Sequence, residues 1–181
     1  MNNNVQKKKK SWKRELSEWV ISLSVAVGVA LLFQTYVYAQ SEVHNVSMQK
    51  TLVAGQRLIE DKWSYRFHEP QQGDIVIING PESEVRLIKR VIGLPGDVIS
   101  FHDGQVYVND VLLEESYVFG KTFPGKLAMP LTVPEGEVFV MGDNREHSLD
   151  SRDLGPIALS SIEGKAVFRI WPLPSFGDLY Q

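Results

Sequence analysis

The run VRLIKRVIGLPGD, Val85 to Asp97, predicts a strand from Val85 to Leu94 closed by a Pro95-Gly96-Asp97 turn. Strand alternation puts Leu87, Lys89 and Val91 on one face and Ile88, Arg90 and Ile92 on the other. Both charges therefore sit among apolar neighbours. One reading is an edge strand whose basic side chains snorkel to water. The other is a desolvated, functional lysine. Lysine suits that role better than arginine because its pKa can fall on burial. At its ordinary pKa of ~10.4, only about one lysine in a thousand is neutral near neutrality. A fall of two to three pKa steps needs about 3–4 kcal/mol of unfavourable environment, which a folded interior can supply.

Outward from this run, short apolar stretches alternate with turn signals. Asp74–Asn79 reads as a strand, and Val98–Phe101 and Val106–Val108 flank a hairpin turn at Asp103-Gly104. Asn109-Asp110 turns the chain into Val111–Leu113, and Glu137–Met141 and Lys165–Trp171 add two more strands. Ser116 to Pro134 is rich in glycine and proline and reads as a long connection or flap. No convincing amphipathic helix lies in this part of the chain. The expected fold is mainly β, in a domain spanning 39–181 that is large enough to bury a core.

Ahead of it, no charged residue stands between Glu18 and Glu42. The 20 residues WVISLSVAVGVALLFQTYVY, Trp19 to Tyr38, would span about 30 Å as a helix, the thickness of a hydrocarbon core. Trp12 and Trp19 at one end and Tyr36 and Tyr38 at the other suit the membrane interfaces. Residues 1–18 carry six basic and two acidic residues, while the whole chain has a net charge of −3. A basic tail abutting an apolar run points to a cytoplasmic N-terminus rather than to nucleic acid. The expected organisation is a basic cytoplasmic tail (1–18), a single transmembrane anchor (19–38) and an extracytoplasmic domain (39–181). A buried core helix and a cleaved signal peptide, with Val37-Tyr38-Ala39 as the cut, are the alternatives. The run is longer than the ~7–15 residues of a typical signal-peptide core.

The chain has no cysteine, which excludes a disulfide framework and thiolate chemistry, and its four histidines show no metal-ligand spacing. Two segments besides Val85–Asp97 are candidates for chemistry. HNVSMQKTL, His44 to Leu52, holds Ser47 nine residues past Tyr38, within roughly 30 Å of the end of the apolar run. A serine needs a base to act as a nucleophile. GDNREHSLDSRDLG, Gly142 to Gly155, crowds Asp143, Arg145, Asp150 and Arg152 into one loop, where they could pair and stiffen it or form a solvated turn. A triad using His44 or His147 with Asp143 or Asp150 stays open at this point, since triads are not sequence-adjacent.

Taken together and in order, SM-x-x-TL at Ser47–Leu52, KRVIGLPGD at Lys89–Asp97 and GDNR-x-x-S-x-DSR at Gly142–Arg152 resemble the motif boxes of the bacterial type I signal peptidases. The compact size and single anchor resemble the Gram-positive form. The resemblance implies a signal-peptidase or LexA-like β domain behind one N-terminal transmembrane helix, and a Ser/Lys dyad with Ser47 as nucleophile and Lys89 as general base, without histidine. It implies that Ser148 hydrogen-bonds Lys89 and that Asp143, Arg145 and Arg152 stiffen the site. The Ser47 backbone N–H would donate to the oxyanion. No metal or organic cofactor is implied. The expected partners are signal peptides of exported preproteins and membrane lipid, with the export machinery as a further candidate. Lys50 stands where the family usually has proline, and Asn45 where it commonly has serine or glycine. The Asn45 amide is a candidate oxyanion donor in place of that serine. The rival functions are processing of one dedicated precursor, and a catalytically silent relative that binds signal peptides.

Overall fold

In a computed structural model, residues 12–80 and 86–180 are described. The lysines at 7–10 and Val85, the expected first residue of the central strand, lie outside them. The chain divides into two compact units, separated between Val37 and Tyr38.

The first unit is one helix, α1 (Trp12–Tyr36). Within the described residues it already covers the seven residues ahead of the apolar run, Trp12 to Glu18, where Lys13, Arg14, Glu15 and Glu18 favour helix and Arg14 pairs with Glu18 one turn on. Its apolar residues Val20, Leu23, Val27 and Leu31 are exposed. The 21 residues Trp12–Leu32 are long and apolar enough to cross a membrane, and none of that window is buried within the protein. Tyr38, expected as the last anchor residue, instead opens a strand.

The second unit is built from β1 (Tyr38–Glu42), β2 (Arg57–Asp61), β3 (Ile75–Asn79), β4 (Arg86–Gly93), β5 (Val98–His102), β6 (Gln105–Val108), β7 (Val111–Leu112), β8 (Leu131–Thr132), β9 (Glu137–Met141), a one-turn helix α2 (Ser151–Leu154), β10 (Ile157–Ala158), β11 (Ile162–Trp171) and β12 (Gly177–Asp178). The larger sheet runs β1-β2-β11-β3-β4-β9-β10, with β12 beside β11; the smaller runs β7-β6-β5-β8. All the named pairings are antiparallel. The expected hairpin forms β5 and β6, with Asp103 at φ 53° and Gly104 at φ 80°, the left-handed pair that a two-residue turn requires.

Around β3 the larger sheet is covered on both faces, so β3 carries four consecutive buried residues, Ile75 to Ile78, rather than an alternating pattern. On one face Leu58, Ile75, Ile77 and Ala166 pack with Val43, Met48 and Leu52. On the other, Val76, Ile78, Leu87, Val91, Val138 and Val140 form a second cluster. Ile92, Phe139 and Met141 join Ile99 and Val106 of the smaller sheet in a third. Strand β4 sits between β3 and β9 and therefore holds Lys89 and Arg90 in the middle of the packed unit.

Candidate active site

Ser47 lies in a turn between β1 and β2, anchored by the buried side chains of Met48 and Leu52. The Leu52 N–H donates to the Met48 carbonyl at 2.7 Å, and the Gln49 N–H to Val46 at 3.1 Å. Two apolar anchors four residues apart thus seat one turn of chain on the core and leave the serine at its edge.

Lys89 reaches Ser47 from β4. Its Nζ donates to Ser47 Oγ at 2.9 Å and to the Ile88 carbonyl at 3.1 Å. Lys89 is 2% exposed and Ser47 7%. Burial pulls the lysine pKa down to about 8; Asp150 and Asp143 oppose this, while Arg152 assists it. At that value about one lysine in ten is neutral at pH 7. Among the described residues neither His44 nor His147 hydrogen-bonds Ser47, so the triad arrangement is not present.

The loop after β9 clamps the serine turn. Gly142 passes so close that a Cβ there would collide with Ser148 Oγ and the Ser47 carbonyl oxygen. Only glycine allows that approach. The Asn144 N–H donates to the Ser47 carbonyl at 2.9 Å, and its side-chain amide to the Val46 carbonyl at 3.2 Å. Asp143 accepts a guanidinium fork from Arg90, at 2.9 and 2.7 Å, and the Thr51 hydroxyl at 2.5 Å. Asp150 accepts the Gly142 N–H at 3.0 Å and caps α2. Burial works against its carboxylate, but the fork from Arg152, at 2.8 and 2.9 Å, outweighs it and holds the carboxyl below the usual range. Arg145 Nε donates to the Gly142 carbonyl at 2.9 Å, and its remaining nitrogens are held by Glu115 and Thr122.

Ser47, Lys89, Asp143, Arg145 and Arg152 thus lie together. Ser148 differs. Its Oγ is buried against Gly142 near Asp150 and makes no hydrogen bond of ordinary geometry, so the expected bond to Lys89 is not formed. The amine is turned instead to Ser47 and the Ile88 carbonyl. Asn45 is exposed on the wall of the cleft that Ser47 also lines. That cleft, of about 440 Å³, runs between the 40–48 segment and β4, with Val43, Met48, Ile77 and Ile88 as its apolar surface. Of the other apolar residues of the motif segments, Leu52 and Val91 belong to the core, and Val53 is exposed outside the cleft. Arg90, Asp150 and Glu115 take a larger part than the motif spacing suggested. A buried arginine needs a carboxylate partner, and its place among apolar neighbours in the Val85–Leu94 run is the one sequence signal that could have found Arg90.

A family profile described as signal peptidase, peptidase S26, matches residues 16–171. The chain is 38% identical over 177 residues to signal peptidase I of Bacillus licheniformis, covering 92% of this chain and 95% of that protein. It is 39% identical over 173 residues to a probable signal peptidase I-1 of Synechocystis sp., covering 91% and 87% of the two chains. A solved signal peptidase I from Enterococcus faecalis aligns at 35% identity with a TM-score of 0.47, covering 54% of this chain and 97% of the other. With the family match running over most of its length, the chain belongs to the signal peptidase family, peptidase S26, and is a serine peptidase.

Proposed function

We propose that this peptidase is membrane-anchored and removes N-terminal signal peptides from exported preproteins through an acyl-enzyme, with Ser47 as nucleophile and Lys89 as general base. The observation that carries the reading is the 2.9 Å contact between Lys89 Nζ and Ser47 Oγ, with both residues buried. Neutral Lys89 takes the Ser47 hydroxyl proton as Oγ attacks the scissile carbonyl carbon. The Ser47 N–H and the Asn45 amide donate to the oxyanion that forms. Collapse breaks the C–N bond, and the lysine ammonium gives its proton to the departing amine. The signal peptide is left as an ester on Ser47. Water then attacks the ester carbon as Lys89 takes its proton; the bond from that carbon to Ser47 Oγ breaks, and the lysine ammonium returns the proton to Ser47 Oγ, restoring the hydroxyl and the neutral amine and releasing the signal peptide as its acid. Asp143, Arg145 and Arg152 hold the loop against the serine turn, and Ser148 is part of that loop and not a hydrogen-bond partner of the free amine.

The apolar cleft beside Ser47 takes small side chains upstream of the cut. In the proposed topology residues 1–18 stay in the cytoplasm, the apolar part of α1 from Trp19 to Tyr36 spans the membrane, and the β-rich unit from Tyr38 onward lies outside. Anchoring enzyme and signal peptide in one membrane plane raises their effective concentration. The direct experiment is cleavage of a preprotein in detergent by wild type, Ser47→Ala and Lys89→Ala. Both substitutions should lower kcat/KM by at least about 10³-fold. Turnover surviving either one would reject the dyad.

A further inference from the structure

The connection between β7 and β8 packs as a strap on the loop that clamps Ser47. The Phe119 N–H donates to the Asp143 carbonyl at 2.8 Å, and the Arg145 N–H to the Phe119 carbonyl at 2.9 Å, a short parallel bridge. Farther along, the Lys126 N–H donates to the Arg152 carbonyl at 3.0 Å. The Arg145 guanidinium is fully buried between the strap and the loop. On the strap side it takes Glu115 in a fork and the Thr122 hydroxyl at 2.8 Å. On the loop side its Nε donates to the Gly142 carbonyl. The Tyr117 hydroxyl donates to Glu115 at 3.0 Å, and the Tyr117 ring lies 3.8 Å from the guanidinium of Arg90, the residue that forks Asp143. Glu115 is thus joined to both arginines that hold residues 142–145, and those residues hold the Ser47 carbonyl through the Asn144 N–H.

We propose that Glu115, assisted by Thr122, is a positioning residue for the peptidase reaction: through Arg145 it presses the 142–145 turn onto Ser47 and keeps the Ser47–Lys89 contact closed. This rests on the dyad reading above. A buried arginine needs a counter-charge whatever its role, so neutralisation alone would explain the pair. Positioning makes a further demand. If the turn relaxes, water reaches Lys89, and the Asp150, Arg152 and Asp143 charges that face the amine shift with the turn. The lysine then holds its proton more tightly and the contact with Ser47 lengthens.

The test uses the full-length chain in detergent micelles, as wild type, Thr122→Val, Glu115→Asp and Glu115→Gln. Thr122→Val removes one acceptor at nearly constant volume, and Glu115→Asp keeps the charge on a shorter arm, so both give folded protein even if Glu115→Gln does not. Melting, kcat and KM are measured, and the Lys89 titration is followed by NMR of labelled lysine, assigned with Lys89→Arg. Thr122→Val and Glu115→Asp should lower kcat by about tenfold with KM within about twofold, and should move the Lys89 midpoint to more alkaline pH. Variants that melt lower but keep the wild-type kcat per folded molecule and the wild-type midpoint would reduce the pair to neutralisation and overturn the proposal. The midpoint is read without turnover. A Ser47→Ala enzyme that still cleaves would therefore sink the dyad reading alone, while the strap is still judged by the titration.

Discussion

Lys89 and Arg90 are sequence neighbours on β4 that end in opposite electrostatic states. Arg90 is forked on the Asp143 carboxylate and stays charged; burial opposes that charge, but the carboxylate outweighs it and raises the arginine pKa. Lys89 is buried without a carboxylate partner in contact and is pulled toward the neutral form. Strand alternation produces the difference. Arg90 pairs across the sheet with Ile75, and Lys89 with Val76, so their side chains leave β4 on different faces.

Exchanging the amine for a guanidinium should abolish turnover. Lys89→Arg keeps the charge and the reach, but arginine does not deprotonate in the working pH range. The expected loss in kcat/KM is at least about 10³-fold at every pH from 6 to 10, measured on a fluorogenic signal-peptide substrate. Partial activity rising with pH in that variant would contradict a general-base role.

Lys89 should also cost the protein stability. Its folded pKa, about 8, lies below its ordinary value of 10.5, so below pH 8 the folded state carries a protonated amine in a site that disfavours it. That penalty is relieved as pH rises from 8 to 10.5, where the unfolded chain still binds the proton and the folded one does not. Lys89→Met should be more stable than wild type by about 2–3 kcal/mol at pH 7 in urea unfolding. The margin should shrink through that window. A margin that stays constant from pH 7 to 11 would mean the lysine pKa is not lowered by folding.

The Arg90–Asp143 pair should behave as a buried ion pair. Both side chains are nearly inaccessible, at 5% and 0%. Asp143→Asn leaves the guanidinium uncompensated and should destabilise the catalytic unit by about 3–5 kcal/mol, read by chemical unfolding. Arg90→Met combined with Asp143→Asn should recover part of that loss, because no charge is then stranded.

Gly142→Ala tests the clamp itself. The added methyl collides with the Ser47 carbonyl and Ser148 Oγ, so the loop must lift off the serine turn. The expected result is a fall in kcat of about 10²-fold, with a smaller change in KM. Wild-type kcat in that variant would show that the close approach does not set the position of Ser47.

Much of the larger architecture could be read from short-range patterns. Glu137–Met141, apolar from Val138 on and bounded by glycines, forms β9 as expected; Asp103-Gly104 marks the β5–β6 hairpin. Strands β1 and β2 could not be read this way. Tyr38–Glu42 lies on a sheet edge with mostly exposed side chains, and the buried Glu60 of β2 is matched by Ser41 and by Arg86, 26 residues away. Nothing local marks either segment as a strand. The site divides in the same way. Ser47, Lys89 and the 142–152 loop stand in contiguous motifs, whereas Asp143 meets Arg90 across 53 residues and Arg145 meets Glu115 across 30. Such pairings depend on which strands lie side by side, and spacing along the chain does not encode that. The same limit applies to Ser148, whose motif position puts it at the site while its buried hydroxyl, packed against Gly142, makes no hydrogen bond to the amine.

The most direct measurement is the pH dependence of kcat/KM for the wild-type enzyme on a neutral peptide substrate. If the Lys89 amine is the base, kcat/KM rises with the loss of a single proton and levels off, with a midpoint near the lysine pKa of about 8. A midpoint near ~6.5, the histidine range, or near ~10.4, that of a solvated lysine, would contradict a buried, neutralised Lys89 acting on Ser47.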